Sequence, residues 1–150
     1  MLARLPVILF HELFGRNIKV VYAMKTFTVR TRGRCEFVDI TAAVQDAVKA
    51  LDINNGVVTV FVPHTTAAVT INENADPDVI SDMIRTLERL VPRSGDYAHS
   101  EGNADAHVKA SLIGSSVRVP VGNGALKLGT WQGIFFCEFD GPRQREVWVS

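Results

Sequence analysis

Residues 57–91, VVTVFVPHTTAAVTINENADPDVISDMIRTLERLV, hold two strand signatures and then a helix, and that order decides the fold class. Val57 to Val62 is a nearly continuous apolar run, as an inner strand requires. Ala67 to Asn72 reads as a second strand, with Val69 and Ile71 alternating against Thr70 and Asn72. Asp76-Pro77 then opens a helix: Asp caps it, and Pro sits in the first turn, where its missing N–H costs nothing. Val79, Ile80, Met83, Ile84, Leu87, Leu90 and Val91 keep helical spacing, and Pro92 stops the run. That stripe is expected to lie in the core.

Towards the N-terminus, Thr26 to Thr31 and Cys35 to Ile40 read as strands joined by a hairpin-like turn at Arg32-Gly-Arg34. Asp39-Ile-Thr41 supplies caps for a helix whose buried side is Ala43, Val44, Ala47, Val48 and Leu51, and Asn54-Asn-Gly56 ends it. Towards the C-terminus, residues 93–102 form a polar loop. Asn103 can cap a third helix, with Asp105 in its first turn, Val108, Leu112 and Ile113 as its buried side, and Gly114 as its stop. Strands near 117–121, 131–139 and 145–149 close the chain, the last two joined by the turn Asp140-Gly-Pro-Arg143. Strands outnumber helices. The pattern predicts an α+β domain with antiparallel or mixed sheets packed with about three helices.

A chain of 150 residues is one ordinary domain. Its 47% hydrophobic and 21% charged residues fit a globular protein and exclude a disordered one. A formal net charge of zero argues against a nucleic-acid binder, which needs a basic stripe, but leaves room for a local cationic pocket. Cys35 and Cys137 sit in apolar contexts without CxxC spacing, so free thiols and a reducing, cytoplasmic setting are expected. In residues 1–23 the apolar run from Leu5 to Phe10 is too short to span a membrane, and the stretch is weak as a signal peptide. These residues are expected to be an extension outside a core of residues 24–150.

The chemistry concentrates in His99-Ser-Glu-Gly-Asn-Ala-Asp-Ala-His107, where two imidazoles, two carboxylates and an amide are spaced by small residues. On a helix beginning near Asn103, His107 lies one turn in, beside the loop carrying His99 and Glu101. The free N–H groups of that helix start could seat a phosphate, with Lys109 to neutralise it. His64, at the end of an inner strand, is a third imidazole. Zinc could use the imidazoles; magnesium would prefer the carboxylates and a phosphate. Glu138 lies among aromatics in Ile134-Phe-Phe-Cys-Glu-Phe139, which is costly unless it is partnered or faces a cleft. Arg143 and Arg145 could pair with acids or contact phosphate. Each residue also has a plainer role open to it: Asn103 as a cap, Asp105 as a dipole partner, His64 as a core histidine.

The segments HTTAAVTINENADPDV, HSEGNADAHVKASLIGSS and LKLGTWQGIFFCEFDGPRQREVWV resemble the YjbQ family, UPF0047, over residues 24–150. The resemblance implies a small α+β homotrimer of thiamine-phosphate-synthase-like character, joining a pyrimidine pyrophosphate to a thiazole phosphate with release of pyrophosphate. It implies a divalent metal, Mg or Zn, near His64, His99 and His107. Catalytic roles would fall on Asp105, Glu101, Asn103 and Glu138, and phosphate contacts on Lys109 and Arg143. The partner expected is a small phosphorylated metabolite, with no nucleic acid and no membrane. Metal-dependent hydrolysis of a small phosphorylated or acyl compound, and a non-catalytic trimeric binding protein, are the alternative readings.

Overall fold

The computed structural model describes residues 23–150; the expected extension, save Ala23, lies outside them. Eight strands and three helices follow in the order β1 (Lys25–Arg30), β2 (Glu36–Asp39), α1 (Thr41–Ala50), β3 (Asn55–Phe61), β4 (Ala67–Glu73), α2 (Pro77–Leu90), α3 (Ala104–Ile113), β5 (Ser116–Gly122), β6 (Ala125–Leu126), β7 (Gln132–Glu138) and β8 (Gln144–Val149). They make two antiparallel sheets, a five-stranded one in the order β1-β8-β3-β5-β6 and a three-stranded one in the order β2-β7-β4. The fold is α+β, as expected.

The apolar pattern explains the layering. Alternate residues of the five-stranded sheet, Val29, Val58, Val60, Val119, Val121, Val147 and Val149, face Val69, Ile134 and Phe136 of the smaller sheet, and Val44, Ala47 and Val48 of α1 join them. The opposite face of the smaller sheet carries Ala68, Phe135, Cys137 and Phe139 against Ala106 and Ala110 of α3, with Ile80 and Leu87 of α2 packed around them. The three-stranded sheet is therefore buried on both sides, which is why Ile134 to Cys137 reads as continuous apolar sequence. β3 is central in its sheet but covered on one face only: Val58 and Val60 are enclosed while Val57 and Phe61 face outward.

Four expectations need correction. Arg32-Gly-Arg34 does not close a hairpin, because β1 pairs with β8 in the large sheet and β2 with β7 in the small one. Asp140-Gly-Pro-Arg143 likewise carries the chain from one sheet to the other. These two crossings meet: Gly141 N–H donates to the Arg34 carbonyl, and a Cβ on Gly141 would collide with the Gly33 carbonyl oxygen. The α2 stripe is not core. None of that helix's residues is buried, although Asp76 caps it by accepting from the Asp78 N–H, and Leu90 is 70% exposed. The buried side of α3 is not Val108 and Leu112, which are exposed, but Asp105, Ala106, Lys109 and Ala110. An enclosed Asp–Lys pair at i, i+4 defeats a reading based on apolar spacing. Last, Asn55 and Gly56 belong to β3 rather than ending α1, and the two-residue β6 gave no recognisable sequence signal.

Candidate functional site

Two chain segments approach each other at one end of the smaller sheet. The loop after β3 brings His64 and Thr65; α3 brings His107 and Ser111, and its glycine stop brings Gly114 and Ser115. With Ala67 and Ala110 they line an open cleft of about 480 Å³. Gly114 adopts a φ of 102°, a left-handed conformation that favours glycine, and its carbonyl accepts from the Val69 N–H while the Ser115 carbonyl accepts from Val62. The cleft wall is thereby pinned to β4 and to the end of β3.

His107 meets His99 edge-on, with ring centroids 5.4 Å apart. Glu101 approaches His99, its Oε2 lying 3.8 Å from Nε2. His64 stands apart from this pair. Its Nε2 accepts a hydrogen bond from the Glu146 N–H at 2.9 Å. Partial burial, and next the nearby Arg145 cation, hold its pKa below the ordinary 6.5. Among the described residues no group of three or more His, Cys, Asp and Glu side chains is gathered closely enough to hold a metal ion. His99 and His107 are a donor pair that suits a divalent ion, while His64 has committed the lone pair of Nε2 elsewhere.

The remaining candidates lie behind or beside the cleft. Asp105 is fully enclosed, with Oδ1 accepting from Arg34 Nη2 and Oδ2 from Lys109 Nζ, both at 2.8 Å. Burial alone would raise its carboxyl pKa; the Lys109 bond and charge, with Arg34, hold it below 3.8. Lys109 is enclosed with it and presents no ammonium at the surface. Glu138 is completely buried and takes Arg145 in a two-bond grip, Nη2 to Oε1 at 2.6 Å and Nε to Oε2 at 2.8 Å. It also accepts from the Thr31 hydroxyl and from the N–H groups of Phe139 and Asp140. A carboxylate so fully bonded holds structure together. Asn103 sits at the N-terminal cap position of α3, but its side chain does not cap; its Nδ2 donates to Asp140 at 3.1 Å. Arg143, half exposed, pairs with Asp140 at 2.7 Å.

Of the residues singled out from sequence, His64, His99 and His107 thus gather at the cleft and its rim, with Glu101 beside His99. Asp105, Lys109 and Glu138 are interior ion pairs. Ser111 and Ser115 carry no motif of their own in the sequence, although Ser111, four residues after His107, shares its helix face. Local sequence marks Arg34 only as a turn residue; that it bridges Asp105 and Asp140 depends on the sheet crossing, which local sequence does not reveal. Both cysteines are free, Cys137 buried and Cys35 partly so, as expected. Burial pushes both thiols above their ordinary pKa. No described helix is long and apolar enough to cross a membrane.

The profile of the UPF0047 protein YjbQ-like family matches residues 25–150. A UPF0047 protein of Methanocaldococcus jannaschii is 47% identical over 131 residues, covering 87% of this chain and 95% of that protein. YugU of Bacillus subtilis, also a UPF0047 protein, is 48% identical, covering 85% of this chain and 97% of its own. Among solved structures, a YjbQ/UPF0047 protein from Clostridium acetobutylicum superposes with a TM-score of 0.82 at 52% identity, covering 84% of this chain and 98% of that one. A YbjQ-like protein of unknown function from Sulfolobus solfataricus gives 0.81 at 35% identity, covering 85% and 94%.

Proposed function

We propose that this chain, which belongs to the YjbQ-like UPF0047 family, is an enzyme that works on a small phosphorylated metabolite in the cleft between His64 and His107. One observation carries the reading. Among the described residues the cleft is lined by two imidazoles, the hydroxyls of Thr65 and Ser115, the Ser111 hydroxyl, which already donates to the His107 carbonyl at 2.9 Å, small residues, and no carboxylate. Such a wall offers hydrogen bonds to an anion and no like charge to repel it. Of the acidic groups nearby, Asp105 and Glu138 are neutralised in the interior by Arg34, Lys109 and Arg145, and Glu101 stands exposed at the rim beside His99.

The reaction we propose is a thiamine-phosphate-synthase-like transfer, joining a pyrimidine pyrophosphate to a thiazole phosphate. Pyrophosphate leaves with the C–O bond that breaks, and the thiazole nitrogen forms the new C–N bond. The leaving group carries most of the developing charge, so the cleft must stabilise oxyanions. His107, with His99 against it, would hold a divalent ion, Mg or Zn; such an ion would neutralise pyrophosphate charge. The hydroxyls of Thr65 and Ser115 would orient phosphate oxygens, and Arg143 is a half-exposed cation paired with Asp140. Asp105, Lys109 and Glu138 support the walls. We propose further that the chain acts as a homotrimer in the cytoplasm.

The test is steady-state coupling with both substrates and Mg²⁺, reading thiamine phosphate. The reading predicts a kcat/KM of about 10⁴ M⁻¹s⁻¹ or more. Absent coupling, with turnover of simple phosphate esters by the metal-loaded protein, would transfer the same cleft to metal-dependent hydrolysis, the reading favoured by its paired imidazoles. Ligand-induced stabilisation without any product would make it a binding protein.

A further inference from the structure

We infer that His64 is a neutral hydrogen-bond donor for an anionic oxygen of the ligand, not a metal ligand. One ring nitrogen of His64 is already in use. Nε2 accepts from the backbone N–H of Glu146 at 2.9 Å. A nitrogen that accepts carries no proton, so the imidazole is neutral and its proton is on Nδ1. Among the described residues Nδ1 has no hydrogen-bond partner. The ring borders the cleft, so Nδ1–H is the group this residue can offer. A metal ligand needs a lone pair, and His64 has already used its own.

The surrounding chain holds that choice in place. Glu146 follows Arg145 on β8, and Arg145 grips the other side of the same loop: its Nη2 donates to the Thr66 hydroxyl at 2.9 Å. Its guanidinium is fixed by the buried carboxylate of Glu138. The Phe139 N–H bonds the Thr66 carbonyl at 3.2 Å. Two consecutive residues of one strand thus clamp the loop from Pro63 to Thr66, one through a side chain and one through its backbone. Arg145 and Glu138 are positioning residues: they act on the ligand only through the orientation of His64. The ligand class follows from the wall, where donors stand without a carboxylate, and is a phosphate or pyrophosphate oxygen.

This inference rests on the cleft proposed above, but its test does not depend on the coupling reaction. Long-range ¹⁵N–¹H correlation spectra of ¹⁵N-histidine-labelled protein should show His64 as the Nδ1–H tautomer, and added Zn²⁺ should leave its two nitrogens unmoved. Inorganic pyrophosphate is the binding probe. His64→Asn keeps a donor near the Nδ1 position and should bind it within several-fold of the unchanged protein. His64→Gln places its amide where Nε2 lies and should bind at least tenfold more weakly, the scale of a lost hydrogen bond to a charged group. An Nε2–H tautomer, a Zn²⁺-induced shift at His64, or equal pyrophosphate affinity in the two variants would overturn the inference. Failure of thiamine phosphate formation alone would strike the proposed reaction and leave these readouts standing.

Discussion

At the scale of single residues, the most exacting demand is the Asp105–Lys109 pair, in which both side chains are closed off from water. Removing Asp105 strands the enclosed Lys109 ammonium, at a cost of about 3–5 kcal/mol, whereas removing Lys109 leaves Asp105 paired with Arg34. Asp105→Ala should destabilise by that amount in denaturant titrations, and Lys109→Ala by less, because Arg34 still holds Asp105. Asp105→Leu combined with Lys109→Met should cost far less than the two single losses together, since no charge is left buried. Additive losses would show that the pair is not coupled as its geometry requires. It follows that inactivity of Asp105→Ala says nothing about chemistry unless the folded fraction is measured beside it. Titration adds a second expectation. Folding lowers the His64 pKa below 6.5, so its stabilising share is complete above that pH and is lost as pH falls through the folded value. Asp105 and Asp140 are held below 3.8, so their share is lost only in stronger acid. Melting temperature against pH should therefore fall in two stages, and His64→Asn should remove the upper one. A single stage below pH 4 in the unchanged protein would contradict the burial assigned to His64.

At the scale of elements, the two sheet crossings decide the architecture. Gly141 sits where the chain leaves β7 for β8, and a side chain there meets the Gly33 carbonyl oxygen, Glu138 and Thr31 together. Gly141→Ala should be among the most damaging small substitutions, exceeding about 4 kcal/mol by chemical denaturation, because rigid backbone from both crossings must move. Leu90→Glu, on the exposed side of α2, should change stability by no more than about 0.5 kcal/mol. Most elements were legible in the sequence because each has a local cause: the Asp76 cap with Pro77, the Gly114 stop, the apolar run of β3 and the alternation along β4. Strand partners were not. Arg32-Gly-Arg34 and Asp140-Gly-Pro-Arg143 carry ordinary turn residues, and nothing local distinguishes a hairpin from a change of sheet. The buried face of α3 misled for a different reason: its interior positions are filled by an ion pair and two alanines, while its larger apolar residues, Val108 and Leu112, point to solvent.

At the scale of the whole molecule, a sheet buried on both faces separates two apolar cores, and the cleft opens where that sheet meets α3 and the end of β3. The histidine-rich segment stands out in the sequence as a candidate site because polar groups among small residues have little to gain from packing, and two of its imidazoles, His99 and His107, do meet in the fold. The roles within it were not readable: which carboxylates are enclosed depends on Arg34, Lys109 and Arg145 arriving from elsewhere in the fold. In the proposed function an imidazole wall faces the ligand and an ionic interior supports it. The most direct test is kcat/KM for thiamine phosphate formation by His107→Ala, with its melting temperature measured alongside. The account predicts a loss of about a hundredfold or more, the scale of a group that stabilises developing charge, at a melting temperature close to that of the unchanged protein. Full activity in a folded His107→Ala protein would contradict it.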